Sequence, residues 1–115
     1  MMIKPFSLEQ LMAIKELIPQ AILDVSLDDV AKKHGFEVEK GHDELDYYSG
    51  IGATTESFQF ALMHYHGYPE HTSTIYLPKD LGSDVKSITD TVHSIAQALN
   101  LDDKFIWERK KDPDL

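Results

Sequence analysis

The stretch that most constrains the fold is Ser57 to Leu77, SFQFALMHYHGYPEHTSTIYL. Phe58, Phe60 and Leu62 recur at every second position, and β-branched or aromatic residues dominate on both sides of Gly67-Tyr68-Pro69-Glu70. Such alternation marks strands with one buried face, and the Gly and Pro between the two runs supply a turn, so a β-hairpin is predicted. With those four residues as the loop, the antiparallel register sets His66 opposite His71, His64 opposite Ser73, Leu62 opposite Ile75 and Phe60 opposite Leu77. That face is expected to be apolar at its base and to carry His64, His66 and His71 at its tip. The other face pairs Tyr65 with Thr72, Met63 with Thr74 and Ala61 with Tyr76, a mixed surface suited to water or a partner.

Upstream, Ser7 and Gln10 have capping-box spacing, and Leu8, Leu11, Ile14, Leu17 and Ile18 follow at helical intervals, so a helix is predicted over 8–18, ended by Pro19. Ser26 opens a second helix, with Asp28 and Asp29 in its first turn, Val30 and Ala31 as its buried pair, and Gly35 placed to close it before Phe36 folds back. Residues 36–40 and 45–53 are strand candidates joined by Gly41-His42-Asp43-Glu44, with Val38 facing Tyr47. The glycines in Gly50-Ile51-Gly52 imply a bulge or a close backbone approach.

Downstream, Ser83 is a good N-cap and Asp84 complements the helix dipole. Val85, Ile88, Val92, Ile95 and Leu99 form a one-sided stripe predicting a helix over 84–99, stopped by Asn100. Phe105-Ile106-Trp107 is expected to be a last short strand. The fold class is therefore α+β: an antiparallel meander of about four to five strands, with two N-terminal helices and one long C-terminal helix. Residues 1–111 are expected to form a single domain and 112–115 a loose tail.

Composition narrows the chemistry. The 115-residue chain has no cysteine, which removes disulfides, thiolate metal sites and a cysteine nucleophile, and fits a reducing compartment. Glu9, Lys15 and Glu16 interrupt the apolar residues of the N-terminus, and nothing approaches the roughly 20 apolar residues of a membrane helix. A cytoplasmic protein without membrane contact is expected. Twenty acidic against eleven basic residues give a net charge of −9, which disfavours phosphate backbones. The one local basic run, Arg109-Lys110-Lys111, is bracketed by Glu108, Asp112 and Asp114.

Two short segments resemble known families. Residues 26–36, SLDDVAKKHGF, are similar to the first helix and turn of helix-turn-helix DNA-binding domains. Where a recognition helix should begin, Glu37-Val38-Glu39-Lys40-Gly41 alternates like a strand, so no nucleic-acid partner is expected. His64-Tyr-His66-Gly-Tyr-Pro-Glu70 resembles the metal-binding His-x-His-x3-Glu portion of the first cupin motif. The flanking glycines of that family are absent, with Phe58 and Leu77 in their places, and membership is not inferred.

Two function classes follow. In the first, the chain is a small acidic binding or regulatory protein with no recognisable catalytic motif. Its docking surface for a basic protein is Glu37, Glu39, Asp43, Glu44 and Asp46 with Tyr65 and Tyr68, and its mixed hairpin face serves self-association as a homodimer. No cofactor belongs to that class. In the alternative, His64, His66, His71 and Glu70 hold one divalent transition metal, since this nitrogen and oxygen set suits such ions.

Overall fold

The structure is a computed structural model that describes residues 1–44, 46–81 and 85–109. In chain order the elements are β1 (Lys4–Phe6), α1 (Leu8–Ile14), β2 (Leu17–Leu23), α2 (Leu27–His34), β3 (Glu39–His42), β4 (Tyr47–Thr54), β5 (Gln59–Tyr65), β6 (Ser73–Pro78), α3 (Val85–Ala98) and β7 (Phe105–Glu108). Among the described residues the fold is α+β with one antiparallel sheet and three α-helices. Among the described residues the sheet has seven strands rather than four to five.

The predicted hairpin sits in the middle of the sheet, and its register is Ala61↔Tyr76, Leu62↔Ile75, Met63↔Thr74, as the alternation required. Strand order is β1-β4-β5-β6-β2-β7, with β3 also paired to β4. Only β3 to β6 meander. β2 inserts beside β6 and β7 closes the far edge, so helices and strands are interleaved at the N-terminus.

Residues 17–23 account for the first correction. Leu17 and Ile18 continue the helical spacing, but the helix stops at Ile14, where the Lys15 amide caps back onto the Leu11 carbonyl, and Ile14 is left 61% exposed. The following segment pairs with β6 through a register shift between Pro19 and Ala21. A proline, which lacks an N–H, is tolerated at such an irregularity. β3 is shifted likewise: it covers Glu39–His42, so the residue opposite Tyr47 is His42, not Val38.

Local signals elsewhere act as expected. Ser7 Oγ accepts from the Gln10 amide and Ser26 Oγ from the Asp29 amide. Gly35 adopts φ 74° to close α2, and Phe36 N–H returns to the Ala31 carbonyl. Asn100 ends α3 in the left-handed region. Ser83, Asp84, Lys110, Lys111 and the 112–115 tail lie outside the described residues.

Side chains alternate across the sheet, so two cores form. On one face α2 and α3 bury Ile51, Phe60, Leu62 and Ile75 under Leu27, Val30, Val92, Ile95 and Leu99. On the other, α1 lays Leu8 and Leu11 on Ala61, Met63, Tyr65 and Tyr76. The mixed hairpin face assigned to self-association is thus covered by the chain's own first helix. Two histidines fasten the helical layer: His34 Nε2 lies 3.0 Å from the Leu99 carbonyl oxygen, and His93 Nε2 lies 2.6 Å from Glu108.

Candidate functional site

The α2–α3 layer does not reach the whole of its face. Beyond the first turn of α2 the strand ends project side chains into the open, and there the structure forms a cleft of about 440 Å³. Register explains what lines it. Lys40 opposes Ser49, Ser49 opposes His64, and His42 opposes Tyr47, so these residues share the helix-bearing face. His66, one residue beyond β5, donates its N–H to the Tyr47 carbonyl and brings a further imidazole to the same cleft, with Gly41 and Tyr48 completing the lining. The His42 and Tyr47 rings stack at 5.4 Å and 22°. A smaller cleft of about 260 Å³ lies on the other side of His64, between Ser26, Leu27 and Asp28 of the α2 start and Glu70, His71 and Thr72 of the loop.

The four metal-ligand candidates are therefore divided. His64 borders both clefts, His66 only the first, and Glu70 and His71 only the second. The reason is the connection. It spans residues 66–72 rather than 67–70, with Gly67 at φ 98° and His71 at φ 65°, so His71 leaves the extended path that would have set it opposite His66. Thr72 Oγ1 donates to the Pro69 carbonyl, and His64 Nε2 lies 3.3 Å from the same oxygen. Among the described residues no group of three or more His, Asp or Glu side chains is arranged to hold a metal ion.

Several acidic candidates have internal duties. Glu39 accepts from the Leu8 and Glu9 amides at 2.6 and 3.1 Å, a carboxylate set on the exposed donors and positive end of α1. Asp43 Oδ2 accepts from the Tyr65 hydroxyl at 2.6 Å, and Asp46 Oδ1 accepts from the Tyr47 amide at 2.7 Å, which shapes the β3–β4 turn. Tyr65 itself is buried. Glu37 lines a separate hollow with Glu39, Phe6 and Ser7, while Glu44 is exposed at the turn. Tyr47 is 66% and Tyr68 48% exposed, and both sit at the end of the sheet where the two connections meet.

Because Glu39 serves as a second cap, Glu39→Ala is expected to cost about 1–2 kcal/mol in urea unfolding. A purely external docking role would leave stability unchanged.

Tyrosines on the α1 face are held protonated. Burial pushes the Tyr76 hydroxyl up to about 12, and burial, with the Asp43 carboxylate next, pushes Tyr65 and Tyr48 up as well. Each folded-state value lies above the ordinary one of about 10, so unfolding releases protons once the pH passes that value. This stabilisation is complete below about pH 10 and is lost as the pH rises through the folded-state values. The urea midpoint is expected to hold between pH 7 and 9 and to fall above about pH 10, with a shallower fall in Tyr76→Phe.

No family model, curated protein or solved structure matches the chain. No helix among the described residues is long and apolar enough to cross a membrane.

His42 and Lys40 were not among the sequence candidates. The signal for them was present in Glu37-Val38-Glu39-Lys40-Gly41-His42: strand alternation sends Glu39 to the α1 face and Lys40 and His42 to the other.

Proposed function

We propose that this chain is a ligand-binding domain and that the cleft at the open end of its sheet is the binding site. The observation that carries the reading is a concavity of about 440 Å³ on which Lys40, His42, Ser49, His64 and His66 converge beside Tyr47. Small-molecule sites have about this size, roughly 300–1,000 Å³, and combine aromatic walls with a few placed polar groups. Strands paired through β4 and β5 set the positions of these groups, so little ordering is required on binding. The test is a fragment library of mixed charge screened by amide NMR. Binders should perturb residues 40–42, 47–49 and 64–66 together; binders that all map elsewhere, or none at all, would remove the reading.

A second reading is favoured by the exposed Tyr47 and Tyr68 with the exposed carboxylates Glu44 and Glu70 around them. Aromatic side chains with acidic neighbours suit docking of a basic protein. Association through this rim slows as salt rises and weakens in Tyr47→Ala; a rate indifferent to both would exclude it.

A further inference from the structure

We propose that the cleft takes a ligand carrying a phosphate group joined to a flat ring, the phosphate on Lys40, Ser49 and His64 and the ring against His42 and Tyr47. The inference deepens the ligand-binding reading and rests on it.

Charge sorting is the first ground. The chain carries twenty acidic residues against eleven basic ones, yet among the described residues lining this cleft there is no carboxylate. Strand alternation produces the separation, because Glu39 on β3 turns to the cap of α1 while its neighbours Lys40 and His42 lie on the cleft side. An ammonium group and three imidazoles in one concavity favour an anion over a neutral or cationic ligand.

Geometry is the second. Lys40, Ser49 and His64 are directly opposed on β3, β4 and β5, so an ammonium, a hydroxyl and an imidazole form a row across three strands, spanning roughly 10 Å at about 5 Å per strand. A tetrahedral anion accepts hydrogen bonds from several such donors at once. The neighbouring row, two residues along and so about 7 Å away, holds His42 and Tyr47, both exposed and already stacked. That spacing leaves room for a linker such as a sugar between the two ends of the ligand.

Proton placement adds a direction. His64 Nε2 faces the Pro69 carbonyl oxygen, an acceptor, so this nitrogen carries a proton and Nδ1 becomes a donor only in the imidazolium form. In that form His64 donates to the Pro69 carbonyl oxygen and to the phosphate at once. The charged and titratable groups around that ring are Lys40, His42, His66 and Tyr47 in the cleft and Asp28, Glu70 and His71 behind it.

The experiment titrates the full chain, followed by amide NMR, with inorganic phosphate, a nucleoside 5′-monophosphate and the same nucleoside without phosphate. Both phosphates should perturb residues 40, 49 and 64, and the monophosphate also residues 42 and 47. The uncharged nucleoside should bind at least about tenfold more weakly, Lys40→Gln should weaken the monophosphate by about tenfold, and Lys40→Arg should restore it. Lys40 is exposed, so neither substitution threatens folding. Nucleoside and monophosphate binding equally well, phosphate perturbing other residues or none, or affinity unchanged in Lys40→Gln would each overturn the proposal. If uncharged fragments occupy the cleft while phosphates do not, the ligand class falls and the cleft remains the binding site.

Discussion

Gly52→Ala is expected to destabilise the protein by about 3 kcal/mol, the upper end for overpacking a buried site. A Cβ on Gly52 would lie 2.3 Å from the Phe6 carbonyl oxygen, 2.9 Å from the Leu8 nitrogen and 3.0 Å from the Leu8 Cα. All three are backbone atoms, so no rotamer change relieves the overlap. Either the β1–β4 pairing at Phe6↔Gly52 opens, or α1 rises and uncovers Met63, Tyr65 and Tyr76. Gly50 provides the comparison. Its closest neighbour would be the Leu8 Cδ2 at 2.5 Å, the end of a flexible side chain, and the Leu62 carbonyl oxygen stands at 3.1 Å. Gly50→Ala should therefore cost less than Gly52→Ala. Urea denaturation at neutral pH measures both, and a Gly52→Ala midpoint equal to that of the parent would show that α1 is not seated on the sheet as described. Against a typical total of roughly 5–15 kcal/mol, the expected loss is large enough to lower the midpoint well beyond experimental scatter.

The glycine pair illustrates what the sequence discloses and what it withholds. Two glycines inside a strand pattern imply a close backbone approach, and that is what β4 provides; the identity of the approaching segment depends on tertiary contacts that local pattern does not encode. The hairpin register was legible because apolar alternation on both arms agrees with only one pairing, and a slip by one residue would have turned Leu62 and Ile75 out of the core. α2 was legible because its start and stop residues act within one turn, and α3 because Ile88, Val92, Ile95 and Leu99 repeat at helical spacing. β1 was not, since Lys4–Phe6 is too short to show a period and is a strand only by pairing with residues 52–54 of β4. β2 was obscured by a coincidence: Leu17 and Ile18 fall on the helical stripe of α1, and Pro19 stops a helix as readily as it marks an irregular strand.

The candidate site divides in the same way. His64 and His66 were placed on one face of the sheet by alternation alone, and they do line one cleft. Separation of His71 from them follows from the left-handed backbone at that residue, a choice made by the whole connection rather than by any dipeptide within it. Acidic residues 37–46 appear in the sequence as one charged patch. In the fold Glu39 caps α1 and Asp43 receives the buried Tyr65 hydroxyl. Charge density along the chain therefore overstated the carboxylate surface available to a partner.

Leu62→Ala is expected to cost about 3–4 kcal/mol, within the range for truncating fully buried leucines. Leu62 is fully buried on β5, between Ile51 on β4 and Ile75 on β6 and within the core beneath α2 and α3. Both edges of its strand are hydrogen-bonded, so the backbone cannot move inward to fill the space left by the missing atoms. The cost then includes the cavity as well as lost transfer free energy. Ile106 on the edge strand β7 is 57% exposed, and Ile106→Ala should fall within about 0.5 kcal/mol of the parent. Equal losses at the two positions would mean that burial does not rank the side chains as the fold requires. Leu62 also tests the site's foundation, because His64 follows it two residues on and projects from the same face. Under conditions where Leu62→Ala remains folded, ligand perturbation of residue 64 should survive in it, since the β4–β5 ladder and not the methyl groups of Leu62 sets the position of that imidazole; unfolding should abolish both together.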